Sequence, residues 1–311
     1  MRTDAALLLG WRLGVRTNAF GPLTFFEAAA KADAAGLAAV EGVSSQQVSK
    51  EIPKKLDYNL TPNEIVKVKD RLDELRLQMP AYYVDVLPAD VESRRKIFEF
   101  AKKLGAGMVV VPAEPASFED LDNLASETGM NVAVRTSNPQ AAASALKGLS
   151  SHIGLSVDLA VWQKSGMNPV VGLDQLKGRL LAADLHDIPG SMQFLHELSR
   201  LQPPSIQANW PPTRDGGAKR SPGKPIFLAL DPANGDLSQA ADAYDKAVVP
   251  ALAYRIDTLS QMQTISSPDA VPEDVRAKID AAIPRKALVQ PAKPRKLLVM
   301  DLCVDGGYYH A

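Results

Sequence analysis

The sequence predicts a (β/α)8 barrel. Short apolar runs alternate with longer amphipathic ones eight times over roughly 250 residues, the length such a barrel needs. The apolar runs are near-continuous, as strands buried on both faces should be. No Gly-x-Gly-x-x-Gly turn follows any of them, so an open dinucleotide-binding sheet loses its main support.

The predicted strands are 11–17 (WRLGVRT), 37–42, 77–84, 106–112, 130–136, 152–158, 178–185 and 224–230. The first predicted helix, 22–36, ends at Gly36, a C-cap residue. The second, 61–76, opens with Thr61, Pro62 and Glu64, which is a capping box with proline at the first helical position. Helices over 89–105 and 117–129 each stop at a glycine, and 139–149, 168–178 and 191–201 follow. The last, 236–261, should bend at Pro250. The barrel thus occupies 11–262. From 263 to 294 the chain is rich in proline, alanine and charge and reads as a linker with one short helix. Residues 295–311 begin a new apolar strand and a Gly306-Gly307 turn, and are expected to be the first strand of a truncated second α/β domain.

Composition narrows the function. The 311 residues carry 35 basic and 36 acidic side chains, a net charge of −1. That balance gives no electrostatic case for nucleic acid or an anionic membrane. Cys303 stands alone, which excludes an intrachain disulfide and a cysteine metal cluster. The apolar run Ala5–Leu9 falls short of a secretory h-region, and no stretch approaches a membrane span. The expected compartment is the cytoplasm, or the periplasm were the true N-terminus longer. A homo-oligomer is compatible with all of this.

In such a barrel, function lies at the C-terminal ends of the strands. The polar residues there are Glu41, Glu114, Arg135, Asp158, Asp184, His186, Asp187 and Asp231. Carboxylates from five strands would converge on one rim and raise one another's pKa unless a divalent cation or Arg135 relieves them. Oxygen-rich ligation suits Mg²⁺ or Mn²⁺ better than Zn²⁺. The plainer reading of a strand-end aspartate is the N-cap of the next helix. Asp184 and His186 share a parity along their strand and should face the same way, with Leu185 opposite.

The chain resembles the sugar phosphate isomerase/epimerase family of xylose-isomerase-like TIM barrels over roughly 11–260. The resemblance rests on WRLGVRTNAF, EIPKKLDYNLTPNEI, ESRRKIFEFAKKLGAGMVVVPAEP and VDLAVWQKSGMNPVVGLDQLKGRLLAADLHD. It implies a carbohydrate substrate and a divalent metal (Mn, Mg, Co or Zn) held by Glu114, Asp158, Asp184 and Asp231. It further implies acid–base chemistry by His186, Asp187 and Arg135 beside a sugar carbonyl. The departures are specific. The family's Asp-Thr-Gly-His-Trp is here Asp158-Leu159-Ala160-Val161-Trp162, so the aspartate stays and the histidine is lost. Its His-Leu-Lys-Asp is here Asp184-Leu185-His186-Asp187. Its His-Asn-His-Pro is replaced by Arg135-Thr136-Ser137, and its closing Glu by Asp231. These losses equally suggest a weakened or abandoned metal site. The tail, KPRKLLVMDLCVDGGYYHA, resembles the start of a trehalose-utilisation domain of glutamine-amidotransferase-like fold.

Other features have a candidate role and a plain one. Glu41, Trp162, Lys219 and Arg220 are candidate substrate contacts. Trp162 would be a sugar-stacking ring, and the two cations would be anion contacts in the loop between strands seven and eight, where barrel phosphate sites often form. A tryptophan is as often core, and 213–224 equally reads as a surface loop. His196 reads as helix surface, and His152 as part of the barrel's N-terminal face. Two functions stay open: a metal-assisted sugar isomerase, epimerase or lyase, and a non-catalytic carbohydrate-binding or scaffold barrel joined in cis to a catalytic C-terminal domain.

Overall fold

The computed structural model describes residues 11–136, 138–176, 178–186, 189–201, 226–231 and 237. Eight parallel strands close in sequence order into a barrel. They are β1 (Trp11–Arg16), β2 (Ala39–Val43), β3 (Gln78–Tyr83), β4 (Met108–Pro112), β5 (Asn131–Arg135), β6 (Ile153–Asp158), β7 (Leu180–His186) and β8 (Ile226–Asp231). Each predicted strand is found within two residues of its expected ends. The helices are α1 (Phe25–Ala34), α2 (Pro62–Glu74), α3 (Val91–Lys103), α4 (Phe118–Thr128), α5 (Pro139–Ala145), α6 (Leu159–Lys164), α7 (Pro169–Gln175) and α8 (Pro189–Leu201). The sequence reading missed α6, which starts straight from the end of β6. The expected linker (263–294), tail strand (295–311) and most of the last helix lie outside the described residues.

Local chemistry explains the helix ends. The Thr61 hydroxyl accepts from the Glu64 N–H at 3.3 Å, and the Glu64 carboxylate accepts from the Thr61 N–H at 2.7 Å. The expected capping box is therefore complete, and Thr24 with Glu27 repeats it on α1. Gly129 ends α4 in the left-handed conformation, at φ 68°.

Outside the sheet, one continuous core joins the helix-facing strand residues to the helices, and Leu185 belongs to it. Inside the barrel lies a second, smaller cluster: Ala39, Ala81, Met108, Val110, Ala133, Leu181, Ala182, Phe227 and Ala229. Packing there is tight. A Cβ on Gly14 would sit 2.6 Å from the Ala39 carbonyl oxygen and 2.9 Å from the Phe227 ring. Two irregularities adjust the register. Between β2 and β3, Ala39 pairs with Gln78 but Glu41 pairs with Ala81, so β3 carries an extra residue beside Pro80. Between β6 and β7, Leu155 pairs with Leu180 but Ser156 pairs with Ala182, so Leu181 is extra and turns inward beside Ala182. Past this bulge β7 alternates regularly, and Ala182, Asp184 and His186 share the inward face.

Candidate functional site

Two residues beyond the apolar cluster, the inward positions become polar. They are Arg16, Glu41, Tyr83, Arg135, Asp158, Asp184, His186 and Asp231, at the C-terminal ends of seven of the strands. Hydrogen bonds between strands that are not neighbours show that these side chains cross the lumen. Arg16 on β1 reaches Asp184 on β7, donating from Nη1 to Oδ2 at 3.0 Å and from Nη2 to Oδ1 at 2.8 Å. Its Nε donates to Glu41 Oε2 at 2.5 Å. Arg135 on β5 also reaches Asp184, from Nη1 to Oδ2, and donates from Nη2 to Asp158 Oδ2 at 2.5 Å. His186 Nε2 lies 2.9 Å from Asp158 Oδ1, and its Nδ1 lies 3.7 Å from Asp231 Oδ2. Opposite charges therefore alternate along one path: Glu41, Arg16, Asp184, Arg135, Asp158, His186, Asp231.

Depth orders the path. The Glu41 and Asp184 side chains are 1% and 3% exposed, whereas Asp231 at the mouth is 41% exposed. Burial pushes the Glu41 carboxyl above the usual range; Arg16 opposes the rise and Asp184 adds to it. Burial works against the charge on Asp158 too, but its bond to His186, the Arg135 guanidinium and the Val161 N–H together hold its carboxyl below the usual range. His186 is raised by its hydrogen bond to Asp158, against burial, with the charges of Asp158, Asp231 and Asp184 adding to the rise. An imidazole beside two carboxylates is biased toward its protonated form.

The two readings of a strand-end aspartate both hold for Asp158. Its Oδ1 caps α6, accepting from the N–H of Ala160 at 2.9 Å and of Val161 at 3.2 Å, while Oδ2 takes Arg135. Behind the floor, the Thr17 hydroxyl donates to the Glu41 carbonyl at 3.1 Å, and Gln46 Nε2 donates to the Leu23 carbonyl at 2.9 Å, pinning the loop after β2.

Other expected site residues fall elsewhere. Glu114 is exposed just after β4, at the start of a single 3-10 turn, with no cap bond and no contact to the cluster. β4 instead presents Pro112 beside Arg135. Trp162 is a correction: it lies fully buried on α6, tilted edge-on against Phe194 at 6.3 Å, so no face is open to a sugar. A Cβ on Gly172 would come within 2.5 Å of its ring, which shows how closely α7 packs there. His196 is exposed on α8, and His152 precedes β6 with Nδ1 3.1 Å from the Met130 carbonyl, both as expected. Asp187, Lys219 and Arg220 lie outside the described residues.

Sequence reasoning missed Arg16 and Tyr83. Arg16 stands two residues beyond Gly14 at the end of β1, and Tyr83 two beyond Ala81 at the end of β3. The Arg16 guanidinium lies 4.4 Å from the Tyr83 ring centroid and that of Arg135 lies 5.7 Å from it, so one aromatic ring supports both cations. Strand parity could have placed both residues at the rim. Charge balance also pointed to a second cation, since Arg135 alone cannot neutralise four converging carboxylates.

A divalent cation does not fit this arrangement. Metal ligation would need the carboxylate lone pairs that now accept guanidinium N–H bonds at 2.5–3.0 Å. Among the described residues, no group of three or more His, Cys, Asp or Glu side chains is disposed to hold a metal ion.

The fold matches solved structures. An uncharacterized protein from Parabacteroides distasonis aligns with a TM-score of 0.61 and 22% identity, over 76% of this chain and 97% of its own. A sugar phosphate isomerase/epimerase from the same organism aligns at 0.52 and 11%, over 78% of this chain and 96% of its own. The 3-keto-D-glucoside 4-epimerase of E. coli aligns at 0.51 and 16%, over 78% and 98%. Two of these three structural neighbours are a sugar isomerase/epimerase and a sugar epimerase, and the (β/α)8 expectation holds. They give no support to the trehalose-utilisation-like tail. No family model matches the sequence, and no curated protein matches it. No helix among the described residues is long and apolar enough to cross a membrane.

Proposed function

We propose that this barrel binds a neutral, monosaccharide-sized carbohydrate at its C-terminal rim and moves a proton beside the sugar carbonyl without a metal ion. The observation that carries the reading is the His186–Asp231 pair at the mouth. Among the described residues, Asp231 is the one of the four clustered carboxylates that no guanidinium engages, and it faces a histidine whose protonated form the bond to Asp158 favours. Asp231 would take the proton from the carbon next to the carbonyl. His186 would give its proton to the carbonyl oxygen, leaving a neutral enediol and an uncharged imidazole. Reversing the two transfers at the neighbouring carbon, Asp231 giving its proton to that carbon and His186 taking one from the adjacent hydroxyl, gives the isomer. The likeness to sugar isomerases and epimerases supports the class of chemistry.

Charge argues for a neutral sugar. With His186 protonated, Glu41, Asp158, Asp184 and Asp231 face Arg16, Arg135 and His186, four negative charges against three positive. A phosphate would meet net repulsion from these seven side chains. A second reading, sugar binding without turnover, draws support from the engagement of Asp158 and Asp184 by the arginines.

Incubation with neutral aldoses and ketoses in D₂O, with EDTA present, tests both. Loss of the proton signal next to the carbonyl is expected, and it should vanish in His186→Gln and Asp231→Asn. Binding without exchange would leave the non-catalytic reading. Tighter binding of the matching sugar phosphates would overturn the neutral-sugar assignment.

A further inference from the structure

We propose that an ordered water molecule is built into the lumen beneath the ion-pair path, accepting a hydrogen bond from the Ser156 hydroxyl and donating to the carboxylates of Asp158 and Asp184. The inference does not depend on which sugar binds or whether it turns over.

Ser156 is the first support. It lies on β6 two residues before Asp158, so the two share the inward face. Its partners in register are Arg135 on β5 and Ala182 on β7, both inward residues. It is fully buried, and its Oγ has no hydrogen-bond partner among the described residues. Packing does not call for a hydroxyl here. Two residues before their own polar rim positions, six other strands carry Gly14, Ala39, Ala81, Ala133, Ala182 and Ala229, so alanine would fit as well. A hydroxyl left dry and unpaired is a net cost, and internal water is the usual partner of such a group.

The carboxylates above it are the second support. A carboxylate offers about four lone-pair sites, two on each oxygen. Asp184 Oδ2 accepts from both arginines and is filled, whereas Oδ1 accepts from Arg16 alone. Asp158 Oδ1 accepts from two backbone N–H groups and lies against His186, whereas Oδ2 accepts from Arg135 alone. One acceptor site remains on each aspartate, and the two are neighbours in register. With its side chain 3% exposed, Asp184 lies too deep for bulk water to fill that site. The Ser156 hydroxyl bonds to neither carboxylate directly. A donor without an acceptor thus stands below two acceptors that each lack a donor, and one water joins them. Its three bonds are the usual number for an internal water. Arg135 clamps the two like charges together, and the water does the same from the layer below.

Ser156→Ala decides by the sign of its effect. Alanine fits this layer, so the variant should fold. Removing a hydroxyl that anchors the bridge should lower Tm by about 2–4 °C, the shift expected for one net hydrogen bond in a barrel of this size. Removing an orphaned hydroxyl should instead raise Tm, because its desolvation cost goes with it. An equal or higher Tm would overturn the proposal. A high-resolution crystal structure of the wild-type protein is the direct measurement. It should show one fully occupied water within hydrogen-bond reach of Ser156 Oγ and of both Asp158 and Asp184, and that water should be lost or displaced in Ser156→Ala. A dry lumen at Ser156, a direct bond from Ser156 to either carboxylate, or a water that misses either aspartate would overturn the proposal.

Discussion

Two layers of the same lumen differ by a step of two residues. Gly14, Ala39, Ala81, Ala133, Ala182 and Ala229 belong to the lower layer. Two positions on, the same strands carry Arg16, Glu41, Tyr83, Arg135, Asp184 and Asp231. The lower layer is closed by size: small residues make room for Phe227 and Met108. The upper layer is closed by charge. In the lower layer each contact is one of many and its loss stays local. In the upper layer each charged group is the partner of another, so deleting one strands its neighbours.

Asp184 gives the largest expected contrast. Asp184→Asn keeps the shape of the side chain but leaves Arg16 and Arg135 pointing at each other around an uncharged amide. A loss of about 3–5 kcal/mol in urea denaturation is expected, the usual cost of breaking a buried pair from one side. Ala182→Gly, one layer below on the same strand, should cost about 1 kcal/mol. Equal losses at the two positions would erase the distinction between the layers.

His186 gives a smaller effect with a definite sign. Its folded pKa is raised above the ordinary 6.5, so the folded state binds its proton more tightly than the unfolded chain does. The stability it contributes is fully present below that ordinary value and is lost as pH rises through the raised one. Asp158 runs the other way: its carboxyl is held below the ordinary 3.8, so its contribution is present above that value and lost as pH falls toward the folded one. Melting curves from about pH 6 to about pH 9 should therefore show Tm falling on the alkaline side, with the fall reduced in His186→Gln. An unchanged slope in that variant would show that the Asp158 and Asp231 contacts do not hold the imidazolium.

These contrasts also show what could be read in the sequence. The strands could be read because burial on both faces forces long apolar runs, and the parity of Asp184 and His186 followed from the pleat. The helix ends at Thr61 and Gly129 could be read because capping is local chemistry. The partners of the aspartates could not. Arg16 and Asp184 are 168 residues apart, and only closure of the barrel brings them together. Trp162 looked like a rim residue because it follows a strand end closely. The helix α6 begins immediately after Asp158 and turns the ring into the helix layer, a consequence of the Asp158 cap that its short length concealed. Glu114 misled for a related reason. Pro112 already closes β4, and the chain has turned outward two residues later.

Glu114 supplies the smallest expected effect and the sharpest test of where the rim ends. Its side chain is exposed, its backbone starts a single 3-10 turn, and no described contact links it to the ion-pair path. Glu114→Gln should therefore change stability by less than about 0.5 kcal/mol, the range of surface substitutions away from special features. Sugar affinity, followed by calorimetry in EDTA, should be unchanged as well. The comparison variant is Asp231→Asn, at the end of β8 and facing His186, which should abolish deuterium exchange into the sugar. A tenfold loss of affinity in Glu114→Gln would mean that the loop after β4 closes over the bound sugar and carries Glu114 to the lumen. The rim would then extend beyond the strand ends, and the boundary between the charged layer and solvent would lie one turn higher than the strand positions place it.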